Sequence, residues 1–188
     1  FNYDIKCKTL VFMGDAANNV ARSLMVVCSK LGMNFVACGP KENMPDAELV
    51  KTCEAIAAEN GCTVKCTDDV KDACTGADVI YTDVWVSMGE PDEVWKERIE
   101  LLLPYQVNAR VMELTGNPDC KFMHCLPAFH NRETAVGESI YQKFGLDALE
   151  VTEEVLESGN AIVFAEAENR MHTIKAVMVA TLADLPPI

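Results

Sequence analysis

Three short polar segments carry the side chains that could do chemistry in this 188-residue chain. Residues 14–19 offer a carboxylate and two carboxamides, residues 83–89 a carboxylate and a hydroxyl, and residues 124–127 an imidazole and a thiol. Each segment follows an apolar run of strand length. Together they supply acceptors for a cation, donors for an anion, and groups that can transfer protons.

Asp83 stands out because apolar residues flank it on both sides and no turn residue accompanies it. A buried carboxylate without a partner is costly. We therefore expect an ammonium group as its partner, from the protein or from a substrate, and the nearby hydroxyl of Ser87 favours a substrate. Ser87, Met88 and Gly89 are expected to form either a plain loop or a segment that closes over a ligand.

The adjacent His124 and Cys125 suggest a thiolate nucleophile, but neighbouring residues on a strand point to opposite faces. His124 would therefore not easily activate Cys125, and proton transfer or polar contact suits the thiol better. Pro127 predicts an extended Leu126 whose neighbouring backbone groups face the ligand.

The first polar segment lacks the G-x-G-x-x-G pattern that lets a backbone approach pyrophosphate, so no dinucleotide cofactor is predicted. Turn and helix-capping chemistry alone could explain Asp15, Asn18 and Asn19. Asn19 could also be both a cap and a ligand, because a carboxamide at a helix N-terminus can donate to a carboxylate.

Composition narrows the choice of partner. The chain carries 29 Asp and Glu against 16 Lys and Arg, a formal net charge of −13, which argues against binding to nucleic acid or an anionic membrane. Its apolar runs fall short of the ~20 residues of a membrane span. Nine cysteines without a secretory leader or a C-x-x-C pair predict reduced thiols, a cytoplasmic location and no metal site. A cationic or zwitterionic small molecule remains open.

Alternating apolar runs and helical patterns predict an α/β fold, a doubly wound five-stranded parallel sheet with helices on both faces. In such a sheet, ligands bind beyond the carboxyl ends of the strands, where the three polar segments lie. Strands are predicted at 9–13, 34–38, 62–66, 78–82 and 121–124. Helices are predicted at 18–31, 46–60, 68–74, 92–102, 106–114 and 150–157, with a long closing helix at about 166–182.

Four segments, found in this order along nearly the whole chain, resemble the ornithine carbamoyltransferases. They are GDAANN at 14–19, DVWVSMG at 83–89, HCLPAFH at 124–130 and EAENRMHT at 166–173. The Ser-Met-Gly loop and the Cys of the His-Cys-Leu-Pro element together separate the ornithine enzymes from the aspartate carbamoyltransferases.

The resemblance implies transfer of a carbamoyl group from carbamoyl phosphate to L-ornithine, giving L-citrulline and phosphate, without a metal or organic cofactor. It implies that Cys125 and Asp83 are catalytic and accept a proton from the reacting amine. The implied ornithine ligands are Asn19, Asp83, Ser87 and Met88, and the implied carbamoyl phosphate ligands are Cys125, Leu126 and Arg170, with His124 adjacent.

The family's other domain carries a Ser-x-Arg-Thr loop that grips carbamoyl phosphate, and residues 1–188 contain no such loop. We therefore expect residues 1–188 to be the ornithine-binding domain alone, weak or inactive by itself, from a homotrimeric family. The apolar face of its closing helix should be partly exposed. Two alternatives stay open: a carbamoyltransferase for another amine such as putrescine, and a non-catalytic amino-acid-binding module.

Overall fold

The computed structural model describes residues 4–86 and 90–182. Within them, five parallel strands form one sheet in the order β3-β2-β1-β4-β5. The order reverses beside β1, which pairs with β2 on one side and β4 on the other, so the ligand crevice of such a fold lies at the carboxyl ends of β1 and β4. The strands are β1 (Thr9–Met13), β2 (Asn34–Cys38), β3 (Val64–Thr67), β4 (Val79–Thr82) and β5 (Lys121–His124).

Helices connect the strands and cover both faces of the sheet, which confirms the predicted doubly wound α/β class. Two short 3₁₀ turns, Lys41–Asn43 and Leu103–Tyr105, accompany them. The helices are α1 (Asn19–Leu31), α2 (Ala47–Asn60), α3 (Val70–Cys74), α4 (Asp92–Leu102), α5 (Ala109–Leu114), α6 (Ala135–Phe144), α7 (Glu153–Leu156) and α8 (Val163–Leu182).

Strand alternation divides the core into two layers. Val11 and Met13 of β1 pack against one face, with residues of α3 and α5, whereas Leu10 and Phe12 pack against the other, with α1 and α2. A third buried cluster, which includes Trp85, joins α4 and α6 beyond the sheet's edge. The polar segments therefore rest on a packed scaffold.

Glycine allows the ends of β1 and β2 to meet. The Gly14 N–H donates to the Cys38 carbonyl at 2.8 Å, and Gly14 has a φ of 119°. A Cβ added at Gly39 would lie 2.1 Å from the Gly14 carbonyl oxygen, far inside van der Waals contact. Only glycine at position 39 lets the backbone after β1 follow this path.

The sequence prediction was least accurate after β5. Helix α6 was missed, and the helix predicted at 150–157 is confined to Glu153–Leu156. Glu150 is instead fully buried, and its carboxylate accepts a hydrogen bond from the Phe129 N–H at 2.7 Å. Four other elements start two or three residues from their predicted positions, since β3 begins at 64, α3 at 70, α5 at 109 and α8 at 163, while α1, α2 and β4 begin one residue late.

Helix α8 is exposed over most of its length. Its apolar side chains at Ile174, Val177, Met178 and Leu182 are 49%, 62%, 54% and 77% exposed, which confirms the expectation of a bare face. Over residues 4–86 and 90–182, every helix is too short or too polar to cross a bilayer.

Candidate active site

The carboxylate of Asp83 joins the ends of three strands. Its Oδ1 accepts hydrogen bonds from the Cys125 Sγ at 3.0 Å and from the Val84 N–H at 2.8 Å, and its Oδ2 accepts from the Asn18 Nδ2 at 3.1 Å. These partners within the described residues are a thiol, a carboxamide and a backbone N–H. Because all three are neutral, the negative charge of Asp83 remains available to a cationic ligand.

Cys125 carries a protonated thiol at neutral pH. Partial burial of the thiol and, next, its hydrogen bond to the Asp83 carboxylate raise the pKa of Cys125 to about 12. The thiol is thus a proton donor to Asp83 and a poor nucleophile, because nucleophilic attack needs the thiolate. This geometry agrees with the interpretation that His124 does not activate Cys125.

The two asparagines at the start of α1 have different positions. Asn18 is the N-cap, and its Oδ1 accepts the Ala21 N–H at 2.8 Å while its Nδ2 faces Asp83. Asn19 is the first helical residue and is exposed toward the cavity, so the suggestion that it also caps the helix was wrong. Sequence reasoning assigned Asn18 only turn or cap chemistry and missed its contact with Asp83.

A cavity of about 1230 Å³ opens beside these residues, between the ends of β1 and β4 and the inner side of α4. Its wall is strongly acidic. Arg98, the arginine on this wall, donates to the Asp15 carboxylate at 2.7 Å and so leaves little positive charge for an anion. The carboxylates that line the cavity belong to Asp15, Glu42, Asp83, Glu90, Glu97 and Glu100.

His124 lies beneath the site rather than in it, since its side chain is fully buried. Its Nδ1 accepts the Leu126 N–H at 2.8 Å, so the proton of the neutral ring resides on Nε2. This Nε2 is 3.3 Å from Glu150 Oε1 but off the direction of a hydrogen bond. The prediction of an extended Leu126 was wrong. Its φ is 50°, in the left-handed region, and the hydrogen bond from its N–H to His124 stabilises this conformation.

Glu166 fastens the base of α8 to the sheet. It accepts the Tyr81 hydroxyl at 2.5 Å and the His124 N–H at 3.2 Å. Burial raises the pKa of Glu166, although these two bonds oppose the shift, and burial together with Glu166 raises the pKa of Tyr81. Arg170 lies one turn further along α8.

The structure thus brings together Asn18, Asp83 and Cys125 and places Asn19 on the same cavity. Among the described residues, Arg170 forms no hydrogen bond or ion pair with these side chains, and it is exposed. Ser87 and Met88 lie outside the described residues.

Comparison with known proteins places this geometry in a family. A protein of Staphylococcus aureus (strain Newman) named ornithine carbamoyltransferase is 59% identical over 173 residues, which are 92% of this chain and 52% of the relative. The solved ornithine carbamoyltransferase from Pyrococcus furiosus is 38% identical with a TM-score of 0.83, over 98% of this chain and 53% of that one. The ornithine transcarbamoylase from Giardia lamblia is 32% identical with a TM-score of 0.78, over 99% and 54%.

The chain therefore spans about half the length of these relatives. Residues 6–181 match the family described as aspartate/ornithine carbamoyltransferase, Asp/Orn binding domain. Because that match extends over most of the sequence, the chain belongs to the aspartate/ornithine carbamoyltransferase family, of which it contains the Asp/Orn-binding domain.

Proposed function

We propose that this chain is the ornithine-binding half of an ornithine carbamoyltransferase, which transfers the carbamoyl group of carbamoyl phosphate to the side-chain amine of L-ornithine. The observation that carries the proposal is Asp83, a carboxylate with only neutral partners among the described residues, on the wall of an acidic cavity. Relatives named ornithine carbamoyltransferase are 59% identical over 92% of the chain.

Ornithine is a zwitterion with a second ammonium group, and the cavity offers a group for each charge. Asp83 binds an ammonium, and the carboxamide of Asn19, at the positive N-terminus of α1, donates to the carboxylate. Ser87 and Met88, which follow Asp83 in the sequence, complete the amino-acid site. The excess of cavity carboxylates attracts ornithine, whose net charge is positive, from solution.

The reaction requires a neutral amine, because only a free lone pair can attack the carbamoyl carbon. Asp83 accepts the proton of the amine. The Cys125 thiol, whose Sγ lies 3.0 Å from Asp83 Oδ1, either stabilises the proton on Asp83 or passes it to Asp83. The amine nitrogen then forms a bond to the carbamoyl carbon, the bond from that carbon to the phosphate oxygen breaks, and phosphate leaves. The Leu126 backbone, Cys125 and Arg170 hold carbamoyl phosphate, with His124 fixing the Leu126 amide from below.

A second domain supplies the remaining carbamoyl phosphate contacts in this proposal. Two observations support it: the chain spans about half of its relatives, and the apolar side chains of α8 are bare. The whole protein is then a cytoplasmic homotrimer that needs neither metal nor organic cofactor for the transfer. The 188-residue chain alone is weak or inactive.

Calorimetry with L-ornithine tests the site in the chain itself. We expect binding by the native chain and at least ~10-fold weaker binding by Asp83→Asn, which keeps the side-chain shape and removes the charge. Unchanged affinity in Asp83→Asn, or no binding by the native chain, would contradict the proposed site. Putrescine serves as a second ligand, and equal affinity for it would favour a carbamoyltransferase for another amine.

Citrulline formation tests the reaction. We expect negligible turnover by the chain alone and turnover after fusion to the carbamoyl phosphate domain of a relative. Robust turnover by the isolated chain would refute its inactivity. A fusion that binds ornithine and carbamoyl phosphate without making citrulline would favour a non-catalytic binding module.

A further inference from the structure

A second group of chemically active side chains lies outside the cavity. His130 follows β5, Glu153 begins α7 and Glu157 caps its end. One ligand atom from each residue lies within 4.8 Å of the other two. His130 Nδ1 and Glu153 Oε2 are already in contact, and Asn131 Nδ2 donates to the same Glu153 oxygen at 2.9 Å.

The other glutamates of this segment are engaged elsewhere. Glu150 accepts the Phe129 N–H at 2.7 Å, and Glu154 accepts the Ala109 N–H at 3.2 Å. Glu153 and Glu157 are four residues apart and so share a side of the short helix, where their charges repel each other. A cation between them would remove this repulsion, and the imidazole of His130 adds a ligand of a different type.

We propose that His130, Glu153 and Glu157 bind a zinc ion, with water as the fourth ligand. One imidazole nitrogen and two carboxylate oxygens are ligands that Zn²⁺ accepts, whereas Mg²⁺ and Ca²⁺ prefer oxygen alone. With metal–ligand bonds of about 2.0–2.1 Å, tetrahedral ligand atoms lie about 3.3 Å apart. The ligand atoms lie within 4.8 Å of one another, and the two glutamate side chains are exposed, so the site requires them to move toward this spacing when the ion binds.

The site would join two parts of the fold. His130 lies in the loop between β5 and α6, which begins with Cys125 and Leu126, whereas Glu153 begins α7 and Glu157 caps it. Zinc would therefore hold this loop against α7 and stabilise the native state, because a ligand that binds only the folded chain shifts the unfolding equilibrium. The inference is independent of carbamoyl transfer, which uses no metal in the proposed reaction.

Calorimetric titration of the whole chain with Zn²⁺ tests the site, with His130→Ala and Glu157→Gln as variants. We expect at least ~10-fold weaker binding in each, and loss of the zinc-induced rise in melting temperature. His172→Ala is the matched control, since His172 also faces a glutamate, Glu168 at 4.0 Å, but on α8 and with no third ligand among the residues that the structure describes. Its zinc affinity should equal that of the native chain.

Exposed thiols could also bind the metal, so a Co²⁺ titration accompanies the experiment. The structure exposes Cys7, Cys66 and Cys125. Thiolate ligation produces an intense charge-transfer absorption, which the proposed nitrogen and oxygen site lacks. The proposal is overturned if the native chain binds no Zn²⁺, if both variants bind it as the native chain does, or if this thiolate absorption accompanies the tight site. Thermal melting without metal verifies that both variants are folded.

Discussion

The sheet with its flanking helices and the long helix α8 differ in what covers their apolar side chains. In the sheet region, three clusters bury most of the large apolar residues, including Phe12, Phe35 and Phe122 at 0% exposure. In α8, by contrast, Val163 is the buried residue, and Phe164 is 72% exposed.

This difference shows where the stability of the described chain resides. The sheet region has its own core, whereas among the described residues α8 is attached to it at its base, through the buried Val163, through Glu166 and through the pairing of Ala161 with Phe122. Beyond that base, local backbone bonds maintain α8. Substitutions should therefore lower the free energy of unfolding most in the sheet, less at the junction of α8 with the sheet near Glu166, and least in the rest of α8.

The largest effect is expected in the sheet. Phe122→Ala should lower the free energy of unfolding by about 3–5 kcal/mol, because it leaves a cavity at a fully buried site. Urea denaturation measures this loss. A loss under ~1 kcal/mol would mean that the sheet lacks the close packing on which the comparison depends.

A substitution where α8 joins the sheet should lower the free energy of unfolding by less than Phe122→Ala does, and its cost should depend on pH. Tyr81→Phe removes a hydrogen bond to the Glu166 carboxylate and should cost about 1.5–3 kcal/mol at pH 7. Burial places the folded pKa of Glu166 above its unfolded value, so its protonation favours the native state and this contribution is lost as pH rises through the folded pKa.

The cost of Tyr81→Phe should therefore shrink as pH falls through the folded pKa of Glu166, since the bond then involves a neutral partner. Unfolding curves at several pH values measure it. The same measurement in Glu166→Gln, where this group no longer titrates, provides the control. A pH-independent cost in both backgrounds would contradict the anchoring role of the carboxylate.

Two neighbouring residues at the carboxyl edge form a matched pair. Asn18→Ala removes the cap of α1 and should cost about 1 kcal/mol, while Asn19→Ala should change stability by less than ~0.5 kcal/mol. We expect Asn19→Ala instead to weaken ornithine binding. Thermal unfolding and calorimetry on the same preparations separate the two effects, and equal stability losses would remove the distinction between cap and ligand.

The smallest effect is expected on the free part of α8. Met178→Ser, at a side chain 54% exposed, should change the unfolding free energy by less than ~0.5 kcal/mol. If it costs as much as a core substitution, α8 is covered in solution, for example by a second copy. Light scattering at several concentrations of the native chain and of Met178→Ser shows whether a second copy covers α8.

Elements with strong local signals could be predicted from the sequence. Helix α1 ends at Leu31, and the C-cap Gly32 has the left-handed φ of 76° that suits a glycine; β1, β2 and β5 occupy their predicted residues. Helix α6 was missed although its sequence carries comparable local signals, an N-cap at Thr134 and a left-handed glycine at Gly145 with a φ of 71°.

The candidate site was predictable in its residues but not in its bonds. Motifs indicated Asp83 and Cys125, yet nothing in the spacing showed that the thiol donates to that carboxylate. Likewise, the turn at Leu126 depends on the buried ring of His124, and the burial of Glu150 depends on an amide twenty-one residues away in the chain. Such contacts arise only when the sheet is assembled.

The close approach of Gly39 to Gly14 limits how this sequence can vary. A Cβ at position 39 would meet the Gly14 oxygen at 2.1 Å and displace the turn that leads to Asn18 and Asn19. In a saturation library selected for activity, position 39 should therefore tolerate no replacement, although it is absent from the cavity wall. A map of mutational tolerance would then suggest that Gly39 contacts the ligand, whereas its role is to leave room for the Gly14 carbonyl.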